Sequence, residues 1–262
     1  MSLTLDIGAT GMLAQQLNVD TISNNVANMT TTGFKRQRAQ FQDLMYQTKV
    51  RPGSASSDAG TIVPSGIQQG LGVRAGSIYR VNEQGSIQNT GNPLDLAVTG
   101  AGYLQVTLPT GETAYTRDGS LQLDSTGQIV TSKGYVVQPG ITIPSDAVDV
   151  TINSSGQVMV KIAGQTALSN VGQLQLASFP NEAGLDALGD NLFGETEASG
   201  AAVTGNPGET GFGTLLQGAL EASNVNIVSE ITSLIQAQRA YEMNSKVIQT
   251  GDQMLSTLSQ IR

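Results

Sequence analysis

Asp146 with Asp149, and Glu195 with Glu197, are the closest carboxylate pairs in this sequence. Two carboxylates are the minimum for splitting a glycosidic bond by paired acid and base. Such sites also hold sugar rings against aromatic surface, whereas this chain is 4% aromatic and has no Trp. Gly66-x-x-x-Gly70-x-Gly72 and Gly100-x-Gly102 have the look of phosphate-cradling loops. Neither opens a helix after a buried strand and no Gly-Lys-Ser/Thr follows, so both read as turns. Asp186 and Asp190 share a Gly-rich loop without the alternating Asp/Asn spacing of a calcium loop. With no His and no Cys, histidine triads, zincin motifs, thiolate metal sites, Cys nucleophiles and disulfides are excluded. Asn28-Met29-Thr30 and Asn153-Ser154-Ser155 match the glycosylation triplet, a pattern too common to weigh. The expectation is a non-enzyme with no catalytic, cofactor-binding or metal-binding residues.

Charge points away from nucleic acid and from anionic membrane surfaces. The 262 residues carry 13 Lys and Arg against 21 Asp and Glu, a net −8. Between Lys161 and Arg239 there is no basic residue but eight acids: Glu182, Asp186, Asp190, Glu195, Glu197, Glu209, Glu221 and Glu230. That stretch holds the whole net charge. In the opposite sense, Lys35, Arg36, Arg38, Lys49 and Arg51 crowd one short region with only Asp43 opposing them. These are either solvated faces or complementary surfaces on neighbouring subunits. No export signal is visible at the N-terminus, and no apolar run approaches the roughly 18 residues of a membrane span.

The elements that would carry these residues differ between the ends and the middle. Leu5, Met12, Val19 and Val26 repeat every seven residues, which is the seam of an amphipathic helix seeking another helix. Gly8 and Gly11 weaken that helix by up to about 1 kcal/mol each, so it should fold only when packed. Ile227, Leu234, Tyr241, Ile248 and Leu255 keep the same period over a second, longer helix. At 1.5 Å per residue a helix from about 225 to 261 would be roughly 55 Å long, beyond what a compact core can cover. Between roughly Tyr79 and Phe193, short β-prone runs alternate with turns such as Thr110-Gly111, Asp118-Gly119 and Ser154-Ser155-Gly156, the signature of an antiparallel all-β module. The stretches Pro52 to Gly72 and Gly194 to Gly213 read as extended linkers or exposed loops.

At the end of the first helix, Asn25-Val26-Ala27-Asn28 is followed by Thr31-Thr32-Gly33-Phe34-Lys35. This tract resembles the N-terminal signature of the axial proteins of the bacterial flagellum, the rod, hook and hook-associated family, in Asn25, Ala27, Asn28, Thr31, Gly33 and Phe34. The similarity continues through Leu94-Asp95-Leu96-Ala97-Val98, Tyr115-Thr116-Arg117-Asp118-Gly119-Ser120, Gly218 to Asn226, Gln238 to Lys246 and Asp252 to Leu255. The short length and the extended piece from Tyr46 through Pro52 and Pro64 to Gly66 look like the distal-rod branch rather than the hook branch.

The resemblance implies a discontinuous α+β fold. Residues 1–32 and 224–262 would pair as a helical coiled coil lining a tube, 33–78 and 195–223 would form an extended connecting layer, and 79–194 an outer antiparallel β-domain. It implies a structural subunit that polymerises helically into a hollow, rigid shaft transmitting torque from motor to hook. The 46–66 stretch would supply rigidity. Implied partners are further copies of the chain, proximal-rod and hook subunits, the ring proteins that act as a bushing, a rod cap and the type III export apparatus, with no nucleic acid and no membrane insertion. The implied location is the periplasm-spanning part of the basal body, reached through the flagellar channel. The competing reading is a peptidoglycan-acting enzyme that uses one of the carboxylate pairs.

Overall fold

The computed structural model describes residues 3–52, 65–164 and 167–260. It has helices at both ends of the chain and antiparallel β-structure between them. The chain divides into two compact units. One comprises Met1–Val26, Gln37–Tyr79 and Asn226–Arg262, and the other Ala27–Arg36 and Arg80–Val225.

In the first unit, α1 (Leu3–Ala27) and α2 (Ile227–Gln260) run antiparallel. Leu5 lies against Gly251, Gly8 against Ile248 and Gly11 against Asn244, while Asn25 bonds to Glu230 at the far end. A Cβ on Gly8 would fall 2.7 Å from Ile248 Cγ1, and one on Gly11 2.8 Å from Asn244 Nδ2. The glycines that lower helix propensity are thus places where the second helix comes close enough to leave no space for a side chain. Asn226 starts α2 by accepting the Ser229 N–H on Oδ1 at 3.1 Å, an N-cap that satisfies one of the free amides of the first turn. The strands Gln37–Asp43 and Val73–Arg80 form one two-stranded sheet, and Tyr46–Val50 and Ile67–Gly70 form another. Among the described residues no helix is long and apolar enough to cross a membrane.

The second unit is built on a nine-stranded sheet and a three-stranded one. Its strands fall where the sequence alternates: Leu96–Thr99, Tyr103–Thr107, Thr113–Thr116, Leu121–Leu123, Ile129–Thr131, Ala147–Ile152 and Gln157–Ile162. The largely apolar run Val171 to Phe179 contains parts of two strands. Ser169–Gln173 pairs with Gln157–Ile162, whereas Leu176–Ser178 pairs with Tyr103–Thr107 and Val203–Gly205. The chain changes sheets at Leu174, whose side chain is fully buried and whose N–H is taken by the Gly156 carbonyl at 2.8 Å. Leu96, Val98, Leu104, Val106, Val158 and Leu176 form the centre of the core. Residues 195–223 add the strands Val203–Gly205, Thr214–Gln217 and Ala219–Glu221.

Gly119 sits where the Leu96 carbonyl leaves no space for a Cβ. Gly119→Ala should therefore destabilise the β unit by at least about 2 kcal/mol, because fixed backbone cannot move aside as a side-chain tip can. Urea unfolding followed by a β-sheet signal measures this.

Candidate functional site

The tract that follows α1 is held by its own short side chains and then by distant ones. Thr31 donates its N–H to the Asn28 carbonyl at 3.2 Å and its hydroxyl to Asn28 Oδ1 at 3.2 Å, and Phe34 N–H returns to the Thr31 carbonyl at 3.3 Å. Gly33 has φ +67°, a left-handed backbone, and a Cβ there would lie 2.8 Å from the Arg117 carbonyl carbon. Its N–H donates to the Glu221 carbonyl at 2.8 Å. Asn191 Nδ2 reaches the Thr32 carbonyl at 3.3 Å. Asn224 accepts the Arg36 N–H on Oδ1 at 2.7 Å and donates through Nδ2 to the carbonyls of Val81 and Glu83.

Lys35 then enters the protein. Its Nζ lies 2.6 Å from Glu221 Oε1 and 3.0 Å from the Glu83 carbonyl, and its side chain is 2% exposed. Arg117 Nη1 approaches Glu221 Oε2 at 3.4 Å, and the guanidinium also donates to the Val98 and Gly100 carbonyls and lies over the Tyr103 ring. Burial lowers the Lys35 pKa, with the hydrogen bond and charge of Glu221 acting in the opposite direction. Burial, and then the Glu182 carboxylate that accepts its O–H at 3.4 Å, raise the Tyr103 pKa.

In the first unit, Asn25 makes a different kind of bond. Its Oδ1 accepts the Gln37 N–H and its Nδ2 donates to the Gln37 carbonyl, both at 2.8 Å, as a neighbouring strand would. The same Nδ2 lies 3.1 Å from Glu230 Oε2. Asn25 and Glu230 are both buried.

Three stretches of the chain match known families. Residues 5–35 match the flagella basal body rod protein family, 97–160 the flagellar hook protein FlgE/F/G D1 domain, and 216–261 the flagellar basal body rod FlgEFG protein C-terminal region. The flagellar basal-body rod protein FlgG of Caulobacter vibrioides is 64% identical over 98% of each chain. The protein of that name from Buchnera aphidicola subsp. Schizaphis graminum is 50% identical over 98% of this chain and 99% of its own, and that from Bacillus subtilis 41% identical over the full length of both. The chain belongs to the flagellar basal-body rod protein family. Each of the three rod-family matches contains one member of the buried charge group: Lys35, Arg117 and Glu221 respectively.

Of the motif residues in this rod-family chain, Asn25 and Gly33 are buried, Asn28, Thr31 and Phe34 half-buried, and Ala27, the last residue of α1, exposed. Leu5, Met12, Val19 and Val26 are half-buried, and the fully buried positions of α1 are Gly8, Ala14, Thr21, Ile22 and Asn25. On α2, Leu234 and Ile248 are half-buried, while Ile227, Tyr241 and Leu255 are 41–43% exposed. Tyr46 and Pro52 are exposed, and Gly66 lies so close to Pro52 that a Cβ would meet its ring nitrogen at 2.6 Å. Pro64 lies outside the described residues. Asp146, Asp149, Glu195 and Glu197 are all exposed.

The basic cluster from Lys35 to Arg51 is not one solvated face. Lys35 is buried because Glu221, distant in sequence, meets it in the interior, and Glu221 and Glu230 are likewise withdrawn from the acidic stretch. Sequence reading missed Glu221, Arg117, Asn191 and Asn224 as partners of the motif. The available signal was a lone charge in an otherwise small and apolar run, Gly218-Ala219-Leu220-Glu221-Ala222.

Asn25→Ala should destabilise the first unit by about 2–3 kcal/mol, since it strands both polar groups of the Gln37 backbone. Asn25→Asp should be worse, because a carboxylate cannot donate to the Gln37 carbonyl and stands against Glu230. Helical circular dichroism in a urea titration ranks the two.

Proposed function

We propose that this chain is a structural, non-enzymatic subunit of the distal rod of the flagellar basal body, polymerising helically into a hollow, rigid shaft that carries torque from motor to hook. The end-to-end likeness to the FlgG proteins is the observation that carries this reading. The chemistry of α2 supports it. Val228, Ile231, Ile235, Met243, Val247 and Met254 are 45–75% exposed; Val228 and Ile235 lie on the side of the helix opposite Ala237, Asn244 and Ile248, with Ile231 on one flank and Met243, Val247 and Met254 on the other. A helix that is apolar on two sides has surface for a second neighbour. Several exposed apolar side chains on one helix are an association surface rather than a solvated one.

In the assembly, residues 1–32 and 224–262 form an inner coiled-coil layer, 33–78 and 195–223 a connecting layer, and 79–194 the outer β-domain. Leu5, Met12, Val19, Val26, Ile227, Leu234, Tyr241, Ile248 and Leu255 line the seam between helices. The 46–66 segment braces adjacent copies and keeps the shaft straight. The neighbours are further copies, proximal-rod and hook subunits, the bushing rings and, during growth, a rod cap. Subunits reach the periplasmic rod through the flagellar type III channel.

Electron microscopy of concentrated protein tests the reading: straight hollow tubes are expected, and persistent monomer at all concentrations contradicts it. Deleting residues 46–66 should give tubes that curve, measured as a shorter persistence length in the same images. Leu234→Ala or Ile248→Ala should raise the concentration needed to polymerise at every ionic strength, because apolar burial is not screened. Reversal of the exposed Arg38 and Lys49 to Glu should raise it only at low salt, each surface charge contributing about 0–1 kcal/mol. Light scattering across a salt series separates the two classes.

A further inference from the structure

Glu221 has partners of its own besides Lys35. Glu221 Oε1 accepts the Gly85 N–H at 2.9 Å and Oε2 faces Arg117 Nη1 at 3.4 Å. Arg117 is held besides by the carbonyls of Val98 and Gly100. All these groups belong to Arg80–Val225. Together they form a buried pair of zero net charge. Lys35 brings a second cation to the same carboxylate, and among the described residues Glu221 is the only carboxylate ion-paired with either cation. Removing Glu221 would leave two buried cations, but removing Lys35 leaves a neutral pair.

The segment that carries Lys35 has little apolar anchorage. Of Thr31–Arg36, only Gly33 and Lys35 are fully buried, and neither has a large apolar side chain to withdraw from water. Thr31, Thr32, Phe34 and Arg36 are half-buried. What fastens the segment is a row of polar contacts: Gly33 N–H to Glu221 O, Asn191 to Thr32 O, Asn224 N–H to Phe34 O, Arg36 N–H to Asn224 Oδ1, Val81 N–H to Arg36 O, and Lys35 Nζ to Glu221 Oε1 and the Glu83 carbonyl. The core strands Leu96–Thr99 and Tyr103–Thr107 contrast with this, with Leu96, Val98, Leu104 and Val106 fully buried. Regions held by hydrogen bonds with few buried apolar contacts open at lower free energy than the core.

We propose that Thr31–Arg36 is a strap that leaves its socket by local opening while the rest of the β unit stays folded, with the surplus cation Lys35 as its release point. The lowered Lys35 pKa agrees, since burial opposes the ammonium despite Glu221. Opening of such a strap releases Thr31–Arg36 from Glu221, Asn191 and Asn224 without exposing the β core, and leaves α1 held by α2 and by the Gln37 backbone. In a polymerising subunit it would remove one restraint on α1 exchanging partners with a second copy, a use that rests on the assembly reading above, whereas the opening itself does not.

Hydrogen exchange on the full-length monomer, kept dilute so that assembly plays no part, tests the opening. Amides of residues 33–36 are expected to exchange at least about tenfold faster than those of Tyr103–Thr107, with a weaker dependence on added denaturant. Lys35→Met keeps the neutral Glu221–Arg117 pair and should slow exchange of the strap by about tenfold relative to the core. Strap exchange at the core rate with the core's denaturant slope overturns the proposal, as does a Lys35→Met variant whose strap exchanges no more slowly than the wild type. Should that variant fail to fold, the denaturant slope of the wild-type strap decides alone.

Discussion

One carboxylate organises the β unit around it. Taking Glu221 out of water costs several kcal/mol unless its charge and lone pairs are met, and three parts of the chain meet them. Lys35 arrives after α1, Gly85 from the stretch preceding the first core strands, and Arg117 from the turn after Thr113–Thr116. The Glu221 backbone then receives Gly33, so side chain and main chain of one residue hold the same segment twice. A buried ion cluster of this kind adds little net stability compared with apolar packing. What it adds is selectivity, since few alternative arrangements satisfy a buried carboxylate, and a segment out of register by one residue would leave it unpaired.

Much of the fold was legible because it rests on local rules. The seven-residue repeats located both helices, and the alternation of apolar residues between turn signals located the strands of the β core to within a few residues. The strands Gln37–Asp43 and Val73–Arg80 were not legible: the first alternates half-buried and exposed positions, but its residues are mostly polar, and the second is exposed over most of its length. The division at Leu174 was invisible for a different reason: one apolar run serves two sheets, and only pairing separates them.

The candidate site was legible in part. Gly33 was singled out from sequence as a motif residue, and its left-handed backbone is a local property that glycine allows. Lys35 was misread as a surface charge because its partner is remote in sequence and nothing local distinguishes a buried lysine from a solvated one. Gly8 and Gly11 were counted as weaknesses of a helix considered alone, and their value appears only with Ile248 and Asn244 alongside. Local propensity and tertiary packing gave opposite signs at these two positions, and packing decided.

The bond between Asn25 and the Gln37 backbone has a mechanical side. Between those residues the covalent chain makes a long excursion, but two hydrogen bonds of 2.8 Å join its ends directly. Tension pulled along α1 therefore reaches the strand Gln37–Asp43 through a side-chain amide in parallel with the covalent path. Load carried by that amide is load that Gly33, Phe34 and Lys35, on the excursion, do not carry. In mechanical terms Asn25 is a shunt, and two hydrogen bonds rather than a peptide bond set the load at which it fails.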